Sequence, residues 1–220
     1  YQPVGAPCSF GIHESQSRLY ENIIGRSKEF WAFMLPKLKQ IAKTALDDVS
    51  LSQFVHAINK VTPSKIRIEA DEVTYNLHVV IRFQIEKDLF ADKTSVAELP
   101  EIWNQKYKEQ LGVKVENDAE GVMQDTHWAS GLYGYFPTYA LGNIYTGQII
   151  AALTKDTPDW RSRIAQGKLE DINRWLSTNV HSYGDLYDPA DLMRRITGKN
   201  LETPPYLEYL GEKYSELYGF

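Results

Sequence analysis

The sequence predicts a mainly α protein built as a single helical unit over residues 1–220, with no internal domain boundary. Three observations predict it. Apolar residues recur at a spacing of three and four along most of the chain, Gly and Pro break that pattern at intervals suited to ordinary helices, and no tract is repetitive or long enough to serve as a linker. The composition agrees, being 43% hydrophobic and 24% charged, which excludes disordered and collagen-like classes. Five Trp, fourteen Tyr and eight Phe supply core anchors, each able to bury ~150–250 Å².

The elements follow in order. Leu19, Tyr20, Ile23, Ile24, Phe30, Trp31 and Met34 share one helical face, so one amphipathic helix is expected along this stretch, ended or kinked at Pro36. The wheel puts Glu14, Arg18, Glu21, Gly25 and Lys28 on the opposite side. "KLKQIAKTAL" continues as a second segment, and "SLSQFVHAINKV" (50–61) reads as a short helix with Ser50 as N-cap. Residues 65–90 are ambiguous, because Val79, Ile81, Phe83 and Ile85 alternate as in a strand while Val73, Leu77, Val80 and Ile81 fit a helix. A helix follows Pro100, "LGVKVENDAEG" is a loop, and residues 121–136 form a long segment rich in Gly and aromatics, a kind of loop that often carries function. Helices are expected at 137–153, 158–177, 188–197 and 201–217.

Charge and cysteine content narrow the function classes. A net charge of −5 with both signs interspersed offers no positive stripe for a phosphate backbone, so nucleic acid is not an expected partner. Cys8 is the single cysteine, which excludes an intramolecular disulfide and a Cys-based metal cluster; a buried structural thiol in a reducing, cytoplasmic setting is expected. No stretch approaches the ~18 apolar residues of a membrane span, and the opening residues lack the pattern of a secretory signal.

Of the five histidines, His13, His56, His78, His127 and His181, no two stand four apart, so the HExxH arrangement that places two zinc ligands and a base on one helix is missing. By residue type alone, Glu14 makes an i,i+4 surface pair with Arg18, worth ~0.3–0.5 kcal/mol. Arg67 suits a carboxylate clamp, though a partner nearby in sequence, Glu69, Asp71 or Glu72, is the commoner outcome. Asp125 and His127 suit an oriented acid–base pair, and Tyr133, Tyr135 or Tyr139 could donate to an oxyanion; turn formation and packing are the alternatives. His78 reads as a satisfied interior histidine.

Taken together, "GIHESQSRLYENIIGRS" (11–27), "IRIEADEVTYNLH" (66–78), "GVMQDTHW" (121–128) and "GYFPTYALGN" (134–143) resemble, in order and spacing, the signature motifs of the M32 metallocarboxypeptidases, zinc enzymes of the thermostable carboxypeptidase type. The resemblance covers essentially the whole chain. It implies a helical, groove-containing, gluzincin-like fold, a homodimer, and removal of single C-terminal residues from peptides with broad specificity. It also implies that Glu14 is a zinc ligand, that Arg67 contacts the substrate's terminal carboxylate, and that His127 and Tyr139 contact the substrate or transition state. It favours helix over residues 71–90.

The sequence departs from the family pattern in lacking the HExxH helix, which carries two histidine ligands and the general base. The resemblance therefore implies the C-terminal portion of such an enzyme, expected to need its N-terminal half, to be inactive alone and to hold no zinc at a catalytic site. Lost cover over the groove is expected to expose apolar surface. A non-enzymatic remnant, kept as a binding or dimerisation module, is the competing implication.

Overall fold

The computed structural model describes residues 2–220, and their regular secondary structure is all helical, with no strand among the described residues. Ten α-helices run in order: α1 Phe10–Arg18, α2 Lys28–Ala42, α3 Leu51–Ile58, α4 Tyr75–Phe90, α5 Leu99–Leu111, α6 Pro137–Asp156, α7 Trp160–Ile164, α8 Glu170–Asn179, α9 Pro189–Thr197 and α10 Pro204–Tyr218. The mainly α expectation holds. The chain divides into two compact units, one made of the residues up to Asn59 together with Leu141–Phe220, the other of Lys60–Ala140.

The first unit is assembled around aliphatic and aromatic side chains. Leu19, Ile149, Leu153, Trp160, Ile164 and Leu176 are each at most 1% exposed and meet in one cluster. Two helices expected to be continuous are broken here. The first ends in a π-helical turn, Leu19–Ile24, closed by the Gly25 N–H donating to Tyr20 O at 2.8 Å. A new helix then starts because the Ser27 hydroxyl accepts from Phe30 N at 3.1 Å and caps it. Pro36, expected to end or kink that helix, lies inside α2 instead. It is exposed, so water can satisfy the carbonyl that its missing N–H leaves unpaired. The segment 158–177 is two helices, α7 and α8, separated at Gly167. That residue adopts φ +77 with the Phe33 ring seated where a Cβ would stand, so only glycine can make the turn. Ser50 caps α3 as its spacing predicts, in a reciprocal capping box with Gln53.

In the second unit, α4 and α5 pack through Ile81 and Ile85 against Leu99, Trp103, Tyr107 and Leu111. Tyr75 and Val79 of α4 pack on Phe136. Residues 65–90 thus resolve as a helix from Tyr75. Its inward face is unusual in carrying His78, Arg82 and Glu86 at i, i+4 and i+8, all 4% exposed or less, while Val73, Leu77, Val80 and Phe83 lie exposed. The long loop 112–136 folds back over this charged face.

Candidate functional site

The charged face of α4 organises the second unit's polar cluster. Asp125, on the loop, is gripped by two arginines. Arg67, in the 3-10 turn Arg67–Glu69, donates from Nε and Nη2 at 3.0 and 2.7 Å, and Arg82 of α4 donates from Nε at 2.8 Å. The local acidic partners expected for Arg67 give way to a carboxylate 58 residues away. Gln124, beside Asp125, fastens the loop further: its Oε1 accepts from Arg67 N and Arg82 Nη2, both at 2.9 Å, and its Nε2 donates to Lys65 O at 3.0 Å. Glu86 clamps the loop's far side by accepting from Trp128 Nε1 at 2.6 Å and Gly134 N at 3.2 Å.

This scaffold sets His127 between the aromatic rings of Tyr135 and Phe136, with centroids 5.3 and 4.4 Å away. His127 Nε2 lies 3.1 Å from the Tyr139 hydroxyl. Its Nδ1 is 4.0 Å from Asp125 Oδ1 and buried without a hydrogen-bond partner. Arg67 completes the group, its guanidinium 4.7 Å from the centre of the Tyr139 ring and its Nη1 donating to Tyr75 OH at 2.8 Å. Three of the residues singled out from the sequence, Arg67, His127 and Tyr139, are therefore brought together, and Asp125 joins them.

Protonation follows from these surroundings. Burial works to raise the Asp125 carboxyl, but the hydrogen bonds and charges of Arg67 and Arg82 overcome it and hold the group below the usual carboxylate range. Burial lowers His127, and the arginines add to this against the opposing pull of Asp125, so the imidazole is neutral at pH 7. His78 is fully buried and is lowered to about 4 by burial and by Arg82 and Arg67. Its Nδ1 lies 3.0 Å from Tyr107 OH, which itself accepts from Arg82 Nη1 at 3.0 Å. His78 is an interior histidine as expected, although its Nε2 has no partner.

Glu14 lies in the first unit, on α1. It is half-buried, and its Oε2 accepts from Ser17 Oγ at 2.9 Å. Arg18 pairs with Glu21 at 2.9 Å, in place of the spacing-based pairing with Glu14. Gly142 of α6 faces this point so closely that an added Cβ would come within 2.7 Å of Glu14 Cβ. Glycine there lets the two helices touch and fixes the backbone carrying Glu14. His13 is exposed.

Sequence reasoning missed Arg82 and Glu86. The signal was present as His78, Arg82 and Glu86 at four-residue spacing within an otherwise apolar segment, a stripe that must find partners if it is buried.

A family model for carboxypeptidase Taq (M32) metallopeptidases matches residues 1–214. This chain belongs to the M32 family. It is 46% identical over 210 residues to carboxypeptidase 1 of Bacillus subtilis and 44% identical over 217 residues to thermostable carboxypeptidase 1 of Thermus thermophilus, covering 96% and 99% of itself. It spans 42% of the length of each of these relatives. Among solved structures, an M32 carboxypeptidase from Deinococcus radiodurans superposes with a TM-score of 0.96 at 39% identity, over 99% of this chain and 44% of that one. A carboxypeptidase from Pyrococcus furiosus gives 0.93 at 36% identity, over 97% and 43%. The matched part of these M32 structures is their C-terminal portion.

A catalytic zinc in an M32 metallopeptidase needs about three protein ligands and one open position. Among the described residues, no three His, Cys, Asp or Glu side chains gather so as to hold a metal ion. Glu14 therefore completes no such centre with the other described residues. No helix among the described residues is long and apolar enough to cross a membrane.

Proposed function

We propose that this chain forms the C-terminal part of a zinc carboxypeptidase that removes single residues from peptide C termini with broad specificity, acting in the cytoplasm as a homodimer. The family match over residues 1–214 carries this reading. In it, Glu14 is one zinc ligand, and two histidine ligands and the general base come from an N-terminal half. Arg67 receives the terminal carboxylate, for which a planar guanidinium fork is the fitting donor. His127 and Tyr139, joined at 3.1 Å, face the reacting carbonyl, where the phenol can turn its proton from the neutral imidazole to developing negative charge without carrying a charge of its own.

The chain alone is then inactive. The test measures zinc content and release of C-terminal residues from a peptide, first for the chain alone and then after adding the N-terminal part of the Bacillus subtilis relative. Neither zinc nor turnover is expected alone, and both after reconstitution, with Glu14→Gln abolishing the zinc. One zinc per chain with turnover from the chain alone would sink the inactivity claim. A reconstituted Glu14→Gln protein that retains stoichiometric zinc would remove Glu14 from the ligand set.

A further inference from the structure

Two guanidiniums share the one carboxylate of Asp125, so this trio by itself carries one positive charge in excess, the other buried carboxylates of the unit being those of Asp71, Glu72 and Glu86, none of which hydrogen-bonds either arginine. All three side chains are largely out of solvent, at 5% exposure for Arg67, 0% for Arg82 and 10% for Asp125. A buried charge in excess is costly unless an anion answers it. The two arginines are not equivalent in how they could answer one. Arg82 directs its other N–H groups inward, to His78 O at 2.8 Å, Tyr107 OH at 3.0 Å and Gln124 Oε1 at 2.9 Å, and its guanidinium stacks 4.5 Å from the Trp103 ring centre. It is fixed. Arg67 has fewer such ties, and lies against the Tyr139 ring beside the His127–Tyr139 pair.

The geometry points to Arg82 as a positioning residue for carboxylate recognition: by keeping hold of Asp125, it lets the Arg67 fork turn to a peptide's terminal carboxylate without stranding a buried anion. This rests on the reading of Arg67 as the carboxylate contact. Without Arg82, Asp125 and Arg67 would form a closed neutral pair, and the incoming carboxylate would have to displace Asp125 into a site with no other cation to hold it. Arg82 therefore acts through charge on Asp125 and never touches the peptide. Removing the Asp125 charge should relieve the loss of Arg82, because Arg67 is then again uncompensated.

The probe is hippurate, a peptide-like free carboxylate, with hippuramide as its neutral counterpart, followed on the 220-residue chain by NMR shifts of the His127 and Tyr139 rings. The chain binds hippurate and not hippuramide. Arg82→Met weakens hippurate by about tenfold or more, and Arg82→Met combined with Asp125→Asn recovers to within about threefold of the unmodified chain. A packing role for Arg82 predicts the reverse, since the second substitution would remove a further contact. Equal binding by Arg82→Met, or a double variant no better than the single one, overturns the inference while leaving the role of Arg67 standing. If Arg82→Met does not fold, Asp125→Asn, which leaves Arg67 uncompensated, must bind hippurate at least as tightly as the unmodified chain, and a tenfold loss overturns the inference. No hippurate binding by the unmodified chain, or full binding by Arg67→Met, overturns both the inference and the reading on which it rests.

Discussion

The first unit buries Leu19, Ile149, Leu153, Trp160 and Leu176, and its buried polar residues, Ser15, Asn22, Ser27, Asn59, Asn143, Thr146 and Gln148, are all uncharged. The second unit buries Arg67, Asp71, Glu72, His78, Arg82 and Glu86 in far fewer residues. Burying a charge is tolerated only where partners are fixed in advance, so the second unit has given up part of its apolar core to hold guanidiniums, carboxylates and an imidazole in set positions. The first unit supplies a stiff helical frame, with Glu14 set by the close contact of α1 and α6 at Gly142. The difference marks where stability has been exchanged for preorganised charge.

Removing the anion at the centre of the second unit should have the largest effect. Asp125→Ala leaves Arg67 and Arg82 buried without their shared counter-ion, and breaking a buried pair in this way costs about 3–5 kcal/mol. Hydrogen exchange should localise the loss to residues 60–140. An equal loss of protection throughout the chain would show that the two units do not differ in the way their cores suggest. The matching change in the first unit is Leu153→Ala, which removes a fully buried side chain from the aliphatic cluster at a cost of about 3 kcal/mol, read from the urea midpoint. Because the cavity left is apolar, this cost should not vary between pH 5 and 7.

Acid should separate the units more finely. His78 is lowered from 6.5 to about 4 in the folded protein. As pH falls, the unfolded chain takes up this proton near 6.5 while the folded chain refuses it until about 4, so stability present above 6.5 is lost across that interval and not further below it. At pH 5 the loss is about 2 kcal/mol relative to pH 7. Asp125, held below its usual range, adds a loss that begins only lower, as pH falls through the unfolded carboxylate range and then through the folded value. His78→Gln should flatten the dependence of the urea midpoint between pH 7 and 5. An unchanged slope in that variant would assign the proton uptake to another group.

How much of this was legible in the sequence depends on the type of packing. In the first unit the apolar spacing of Leu19, Ile23 and Ile24 and the capping box at Ser50 led to the right elements, because local pattern and tertiary burial agree there. Errors arose where a single residue overrode the pattern, as at Gly25, which the π-helical turn requires, and at Gly167, which Phe33 covers. In the second unit the pattern of α4 is mixed, with Leu77, Val80 and Phe83 outward and His78, Arg82 and Glu86 inward beside Tyr75, Val79, Ile81 and Ile85, so hydrophobic periodicity could not decide between helix and strand. The motifs singled out Arg67, His127 and Tyr139, which the fold brings together. The partner of Arg67 was not readable, since a contact across 58 residues leaves no trace in local spacing.

The smallest effect tests the tautomer of His127. With Nδ1 turned toward Asp125 Oδ1 at 4.0 Å and Nε2 at 3.1 Å from Tyr139 OH, a proton on Nδ1 lets the phenol donate to Nε2. This hydrogen bond stabilises the neutral ring, because a protonated imidazole has no lone pair left to accept it. Tyr139→Phe should therefore cost only about 1 kcal/mol in stability while raising the His127 titration, whose folded value burial already holds below the ordinary one. Both quantities are accessible on one sample, from the urea midpoint and from ring nitrogen shifts followed against pH. A His127 titration that falls in Tyr139→Phe would place the proton on Nε2 and make Tyr139 the acceptor.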